Sequence, residues 1–189
     1  MLCLAACTTP QAPVAKVVYD FGPSLFATGQ GASAAKAPAI VLADIDANAA
    51  LDSPAVLYRL GYADAQQLRP YALARWSAPA AQLVRLRLRD ALSQRGPVLG
   101  SAEGGAVWLL KVELDEFSQL FDSASSSSGV VRLQATLLRS GVLVAQHSVV
   151  SRAPAPTPDA AGGVRALALA TDDAVQQLSQ WSAQHMARP

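Results

Sequence analysis

The sequence predicts a single α+β domain in which a largely antiparallel sheet carries two helices packed on one face. Runs rich in β-branched and aromatic residues recur between short turn signals. Two longer segments, one central and one C-terminal, repeat their apolar residues at three- and four-residue steps. With 51% hydrophobic and 15% charged residues in 189, the chain can bury a core without a disulfide or metal.

Val17-Val18-Tyr19-Asp20-Phe21 reads as a short strand closed by Gly22-Pro23. Residues 27–38 are small and polar, as in a flexible connection. Ile40 to Ile45 gives a second strand, and Val56 to Leu60 a third after the Asp52-Ser53-Pro54 turn. A weaker fourth runs from Gln67 to Leu73. Ser77-Ala78-Pro79 reads as a helix start, a capping hydroxyl followed by proline in the first turn. Val84 to Arg89 alternates as a strand would. The length from Ala78 to Gln94, the strong helix formers and the Gly96-Pro97 stop favour a helix. Its buried face holds Ala80, Leu83, Val84, Leu88, Ala91 and Leu92, which leaves Arg85, Arg87 and Arg89 on a solvated flank.

Val107 to Phe117 is a strand with Trp108, Leu110, Val112 and Leu114 on one side and Lys111, Glu113 and Asp115 on the other. Asp122 to Gly129, rich in serine, reads as a mobile loop. Val130 to Leu138 and Val142 to Val150 form a hairpin about Ser140-Gly141, and Pro154, Pro156 and Pro158 end the sheet. Residues 164–185 make the second helix, with Val164, Leu167, Thr171, Val175, Leu178 and Trp181 among its apolar positions.

The N-terminus carries a different message. Leu4-Ala5-Ala6-Cys7 matches the lipobox, cut by lipoprotein signal peptidase before a cysteine whose sulfur accepts diacylglycerol. Small residues before the cut suit a narrow protease pocket, and two or more acyl chains anchor stably at about 0.8 kcal/mol per buried methylene. Six residues cannot hold both a charged and an apolar signal region, so residues 1–6 are read as a signal-peptide remnant. Thr8-Thr9-Pro10-Gln11-Ala12-Pro13 then reads as a polar tether spanning 7–16, ahead of a domain over 17–186. Thr8, rather than Asp, after the cysteine favours the outer membrane by resemblance to known lipoprotein sorting.

Chemistry is sparse. Cys3 and Cys7 are the only cysteines, which leaves the domain no thiol for a redox pair or a zinc site. His147 and His185 lack metal-ligand spacing, no G-x-S-x-G occurs, and Gly29-Gln30-Gly31 lacks the third glycine of a phosphate loop. The reading is therefore no catalytic residue, no metal and no cofactor. A formal charge of +1 gives no reason to expect nucleic acid. Arg59 and Arg75 could clamp a lipid phosphate through paired N–H donors, but a salt bridge to Asp44, Asp46 or Asp64 is the favoured reading. Trp76 reads as a core plug beside the helix start.

Leu51-Asp52-Ser53-Pro54-Ala55-Val56-Leu57-Tyr58-Arg59, followed by Tyr71-Ala72-Leu73-Ala74-Arg75-Trp76-Ser77-Ala78-Pro79, resembles the ABC-type transport auxiliary lipoprotein family, which includes the Pqi-type lipoprotein. An aromatic near the end of a later strand (Phe117) and an Ala/Leu-rich last helix extend the resemblance over about residues 17–186. The resemblance implies a non-catalytic binding and scaffold role at the outer membrane. Its partners would be an MCE-domain periplasmic protein and its ABC transporter, in a system moving lipid between membranes. It also implies a homo-oligomer, and outer-membrane lipid held through acylated Cys7. A general assembly lipoprotein for lipopolysaccharide, pili or porins is the alternative.

Overall fold

The computed structural model describes residues 15–24, 26, 38–101 and 107–187. The lipobox with Cys7, nearly all of the tether and most of the 27–38 insert lie outside the described residues. The elements run β1 (Val17–Tyr19), β2 (Ile40–Ala47), β3 (Ala55–Leu60), β4 (Asp64–Trp76), α1 (Ala80–Ser93), β5 (Val98–Gly100), β6 (Trp108–Phe121), β7 (Ser127–Arg139), β8 (Val142–Pro154) and α2 (Ala160–Met186). This is the α+β domain that the periodicities predict, with both helices on one face.

β6 organises the sheet. One of its edges pairs with antiparallel β7 from end to end, and β8 follows as the outermost strand. The other edge is shared. β2 runs parallel to Trp108–Leu114, and β3 runs parallel to Gln119–Phe121. β2 and β3 are thus two pieces of one path along β6, interrupted by the 48–54 turn. That turn forms because the Asn48 side chain accepts from the backbone N–H groups of Ala50 (3.0 Å) and Leu51 (3.2 Å). Beyond the fork, β5 pairs with β2, β4 pairs with β3, and β1 lies parallel to the end of β4. The longest ladders are antiparallel; the parallel pairings are all short.

The β7–β8 turn follows directly from its two residues. Ser140 (φ 49°) and Gly141 (φ 80°) are both left-handed, the geometry that matches the twist of the flanking strands. α2 lies across β7, β8 and part of β6, while α1 covers β2 and packs on α2. The core between them includes Leu88, Leu110, Leu133, Leu137, Leu167 and Leu178, all essentially inaccessible to solvent.

Several expectations need correcting. Ser77 does not cap α1. Pro79 is the N-cap residue, and its carbonyl receives the N–H groups of Gln82 and Leu83. Ser77 comes too early, since its own N–H is still bonded to Tyr19 at the sheet edge. The serine-rich loop is shorter than expected: it turns over 122–126, while residues 127–129 already belong to β7, and Ser127 is buried. Serine hydroxyls tolerate a sheet when a buried amide meets them, as the Gln119 Nε2 donor does for Ser127 at 2.8 Å. β4 and β6 are longer than their apolar runs. α2 begins at Ala160, ahead of the expected start, because Asp159 accepts from the Gly162 N–H at 2.7 Å and outweighs the low helix propensity of two glycines.

Candidate functional site

The residues singled out in the sequence gather at the end of the sheet where β1, β3 and β4 meet the helices, but in three different environments. Arg59 lies on the sheet face away from the helices, beside Leu120 in the β3–β6 register. Its guanidinium donates to both Glu116 carboxylate oxygens, Nη2 to Oε2 at 3.2 Å and Nε to Oε1 at 3.4 Å. Nη1 donates to the carbonyls of Ala65 and Gln66, each at 3.3 Å. The partner is therefore Glu116, not Asp44, Asp46 or Asp64. Parallel pairing of β3 with β6 sets it there, and sequence distance concealed it. Ser118 also donates to Glu116, at 2.6 Å. Arg59 thus has its donors engaged and ties β3 to both β4 and β6.

Trp76, the last residue of β4, is fully buried. Phe21 meets it edge-on at 5.4 Å, and Phe117 packs tilted against it at 5.6 Å. This aromatic nest supports the next feature. Arg87, expected on a solvated flank, is only 4% exposed. Its Nη2 donates to the Phe21 carbonyl at 2.7 Å and the Gly22 carbonyl at 3.3 Å; its Nη1 donates to Pro23 at 3.2 Å. Its Nε sits 3.1 Å from Asp172 Oδ1 on α2, a charge contact outside hydrogen-bond geometry. Burial pushes the Asp172 carboxyl above its usual range, and Arg87 only partly offsets this. Arg87 thereby straps residues 21–23 onto α1 and α2, and Gln94 holds Phe26 through its carbonyl at 2.6 Å. Of its neighbours, Arg85 pairs with Asp44 at 3.1 Å, and Arg89 is exposed.

Arg75 is the remaining candidate. It is exposed and makes no ion pair among the described residues. It borders an open groove of about 550 Å³ with Lys16, Pro54, Pro70, Tyr71 and Ala74. A shallower hollow of about 280 Å³ shares Tyr71 and Ala74 and adds Val17, Leu73 and Asp159. Val17 and Leu73 are each about half exposed here (52% and 53%). The floor is fixed from below: the Tyr71 hydroxyl donates to Gln119 Oε1 at 2.8 Å, and the Tyr58 ring lies 4.6 Å away. Burial, with the Tyr58 and Asp159 charges, raises the Tyr71 phenol well above its ordinary value, so it remains a donor. The groove offers two cations over an apolar, aromatic floor, which suits a group both anionic and oily.

Sequence reasoning did not single out Lys16, Tyr71 or the strapping role of Arg87. Only the position of Lys16, at the end of the tether, carried a usable signal. His147 stacks on Trp181 at 5.4 Å, and His185 packs against the same indole at 5.1 Å while its Nδ1 contacts the Trp181 carbonyl. Among the described residues, no three His, Cys, Asp or Glu side chains converge as a metal site.

Comparison with known proteins agrees with this architecture. The sequence model of a family described as ABC-type transport auxiliary lipoprotein component matches residues 19–180. A Xanthomonas campestris protein designated DUF330 is similar in structure at 19% identity and TM-score 0.70, covering 94% of this chain and 91% of its own. An uncharacterized protein matches at 16% identity and TM-score 0.69, with 88% and 98% coverage. A hypothetical protein of Chlamydia trachomatis matches at 9% identity and TM-score 0.55, with 81% and 99% coverage. At these identities the structural likeness speaks for the fold alone. No curated protein matches the chain.

Proposed function

Because the chain belongs to the family of ABC-type transport auxiliary lipoprotein components, we propose that it is a non-catalytic binding and scaffold component of an MCE-type system carrying lipid between two membranes. In this reading Cys7 bears the acyl chains, the anchor sits in the outer membrane, and the domain faces the periplasm. Its partners there are an MCE-domain protein and that protein's ABC transporter. The observation carrying the proposal is the family match over 19–180, nearly all of the domain, behind a lipobox at residues 4–7.

The groove supports it. The nine residues from Cys7 to Lys16 span at most about 30 Å fully extended, so Lys16 and Arg75 stay within reach of the headgroups into which Cys7 would be anchored. Among the described residues Arg75, unlike Arg59, has no ion-pair partner, which suits it to meet a lipid phosphate. No helix among the described residues is long and apolar enough to cross a membrane.

The test is fractionation and co-purification from cells making the tagged full-length chain. The expected result is recovery with outer membranes together with an MCE-domain protein, and loss of membrane recovery in Cys7→Ser. Identical partitioning of the two forms into the soluble fraction would refute the anchor. Recovery with lipopolysaccharide, pilus or porin assembly proteins and no MCE-domain protein would refute the transport role.

A further inference from the structure

The geometry points to a second binding site, in the hollow between β2 and α1, that takes a compact zwitterion: an ester of aminoethyl phosphate, with a primary ammonium two carbons from the phosphate. The site shares no lining residue with the Lys16–Arg75 groove and does not depend on the transport reading. Its volume is about 450 Å³. Its charged groups come from three separate parts of the chain: Asp44 from β2, Asp52 from the 48–54 turn and Arg85 from α1.

Each wall is set locally. Strict alternation along β2 would put Asp44 on the same side as Leu42, in the core. The β2–β6 ladder slips between Leu42 and Ile45, so both apolar residues reach the core and Asp44 turns out beside α1. In the 48–54 turn, Leu51 is sunk into the core and the Ser53 hydroxyl donates to the Ala50 carbonyl at 3.1 Å. Asp52 is therefore presented by a turn held on both flanks. The remaining wall is one face of α1, where Ala81, Gln82, Arg85 and Leu86 fall at helical spacing.

The charges are unequal and incompletely paired. Arg85 Nε lies 3.1 Å from Asp44 Oδ1, outside hydrogen-bond geometry, and is shut off from solvent. The guanidinium has no other partner among the described residues. Desolvated donors without acceptors are costly, and an oxyanion in the hollow supplies acceptors. Asp44 keeps its side chain 86% exposed, and Asp52 is exposed with no ion pair among the described residues. Two carboxylates thus face one cation, a balance that disfavours a simple anion. An ammonium has three donors and can serve both carboxylates while its attached phosphate meets Arg85. Leu86, 55% exposed, adds an apolar rim, which suits a zwitterion carrying a carbon chain on its phosphate.

The test is a nuclear magnetic resonance titration of the full-length chain with Cys7→Ser, using glycerophosphoethanolamine as the probe. Saturable shifts should gather on residues 44–53 and 81–86, with a dissociation constant of about 1 mM or tighter. Glycerophosphocholine keeps the phosphate but lacks N–H donors, and glycerophosphoglycerol lacks the cation; each should bind about tenfold more weakly or worse. Asp44→Asn with Asp52→Asn, and separately Arg85→Gln, should weaken binding about tenfold or more, with backbone spectrum and melting unchanged. Should the Arg85 variant lose stability, the paired Asn variant decides alone. Sedimentation with mixed phosphatidylethanolamine–phosphatidylcholine vesicles, but not with phosphatidylcholine alone, would support the site with a lipid headgroup as its source. Binding of the soluble ester without that vesicle preference would support it with the free ester as source. Absence of saturable shifts, shifts centred on the Lys16–Arg75 groove, equal affinity for the three esters, or indifference to the paired Asn variant would each overturn the proposal.

Discussion

Replacing Arg87 by Met should be among the most damaging single changes on the surface of α1, although the sequence pattern places this residue in water. The substitution keeps most of the aliphatic stem and removes the charge. It leaves the Asp172 carboxylate, whose side chain is only 15% exposed, without its counter-ion, and takes the donors from three carbonyls of residues 21–23. Breaking a buried pair on one side costs about 3–5 kcal/mol, because the stranded charge has no water to compensate it. For a domain of this size that corresponds to a melting temperature lower by roughly 6–20 °C. Urea unfolding followed by tryptophan fluorescence reads it directly. Adding Asp172→Leu to Arg87→Met should recover most of the loss, since an apolar pair needs no counter-charge. The pH dependence has a definite sign. Burial raises Asp172 above its ordinary 3.8, so the folded state takes up the proton first. The penalty of an uncompensated carboxylate is then full above the folded pKa and gone below the unfolded one. The cost of Arg87→Met must therefore shrink as pH falls from neutral toward 4. A loss below about 1 kcal/mol at pH 7 would refute the reasoning, as would no recovery in the double variant.

Gly129→Ala would set a Cβ 2.5 Å from the backbone of Ala166 and Leu167, so α2 must lift from β7; a loss of about 1–3 kcal/mol or more is expected in the same unfolding assay. Asp159→Ala should cost about 1 kcal/mol through loss of the α2 cap. The Gly162 N–H, then Thr157, hold the Asp159 carboxyl below its usual value, so that contribution is present at neutral pH and disappears as pH falls through the folded pKa; paired acid titrations of stability should show the two proteins converging. Arg59→Met should lower stability by about 1 kcal/mol while leaving binding to phosphatidylglycerol vesicles unchanged. Lys16→Glu with Arg75→Glu should do the reverse, with stability within about 0.5 kcal/mol and vesicle co-sedimentation of the Cys7→Ser chain reduced.

What was legible follows from how locally each signal is encoded. Ser140-Gly141 sets its own turn, and the α1 apolar stripe over Ala80–Leu92 needs only the helix period, so both read correctly. Over Val84–Arg89 the length of the segment and its flanking residues outweigh a perfect alternation, and the segment lies within α1. The partners of the arginines are a different kind of fact. Glu116 lies 57 positions from Arg59 and reaches it only because β3 runs parallel to the second half of β6. No periodicity announces a strand path broken by the 48–54 turn. Asp172 is likewise joined to Arg87 only by the packing of α2 on α1. Serine in Ser127 and Ser128 reads as loop by propensity, and a single buried amide, Gln119, reverses that reading.

These non-local contacts also give the candidate groove its shape. One of its walls is the start of β1, a three-residue strand held to β4 by a short parallel ladder at Ala74–Trp76. So few backbone bonds cannot keep such a strand in place on their own. What retains it is the chain just after it, where Phe21 wedges between Trp76 and Phe117 and Arg87 gathers the next carbonyls. Lys16 therefore owes its position beside Arg75 to a buried arginine of α1, Arg87, which holds the carbonyls of residues 21–23 and pairs with Asp172 of α2. The segment joining anchor to domain is in this sense part of the fold, and its grip on α1 and α2 orients the exposed cations relative to whatever surface the anchor occupies.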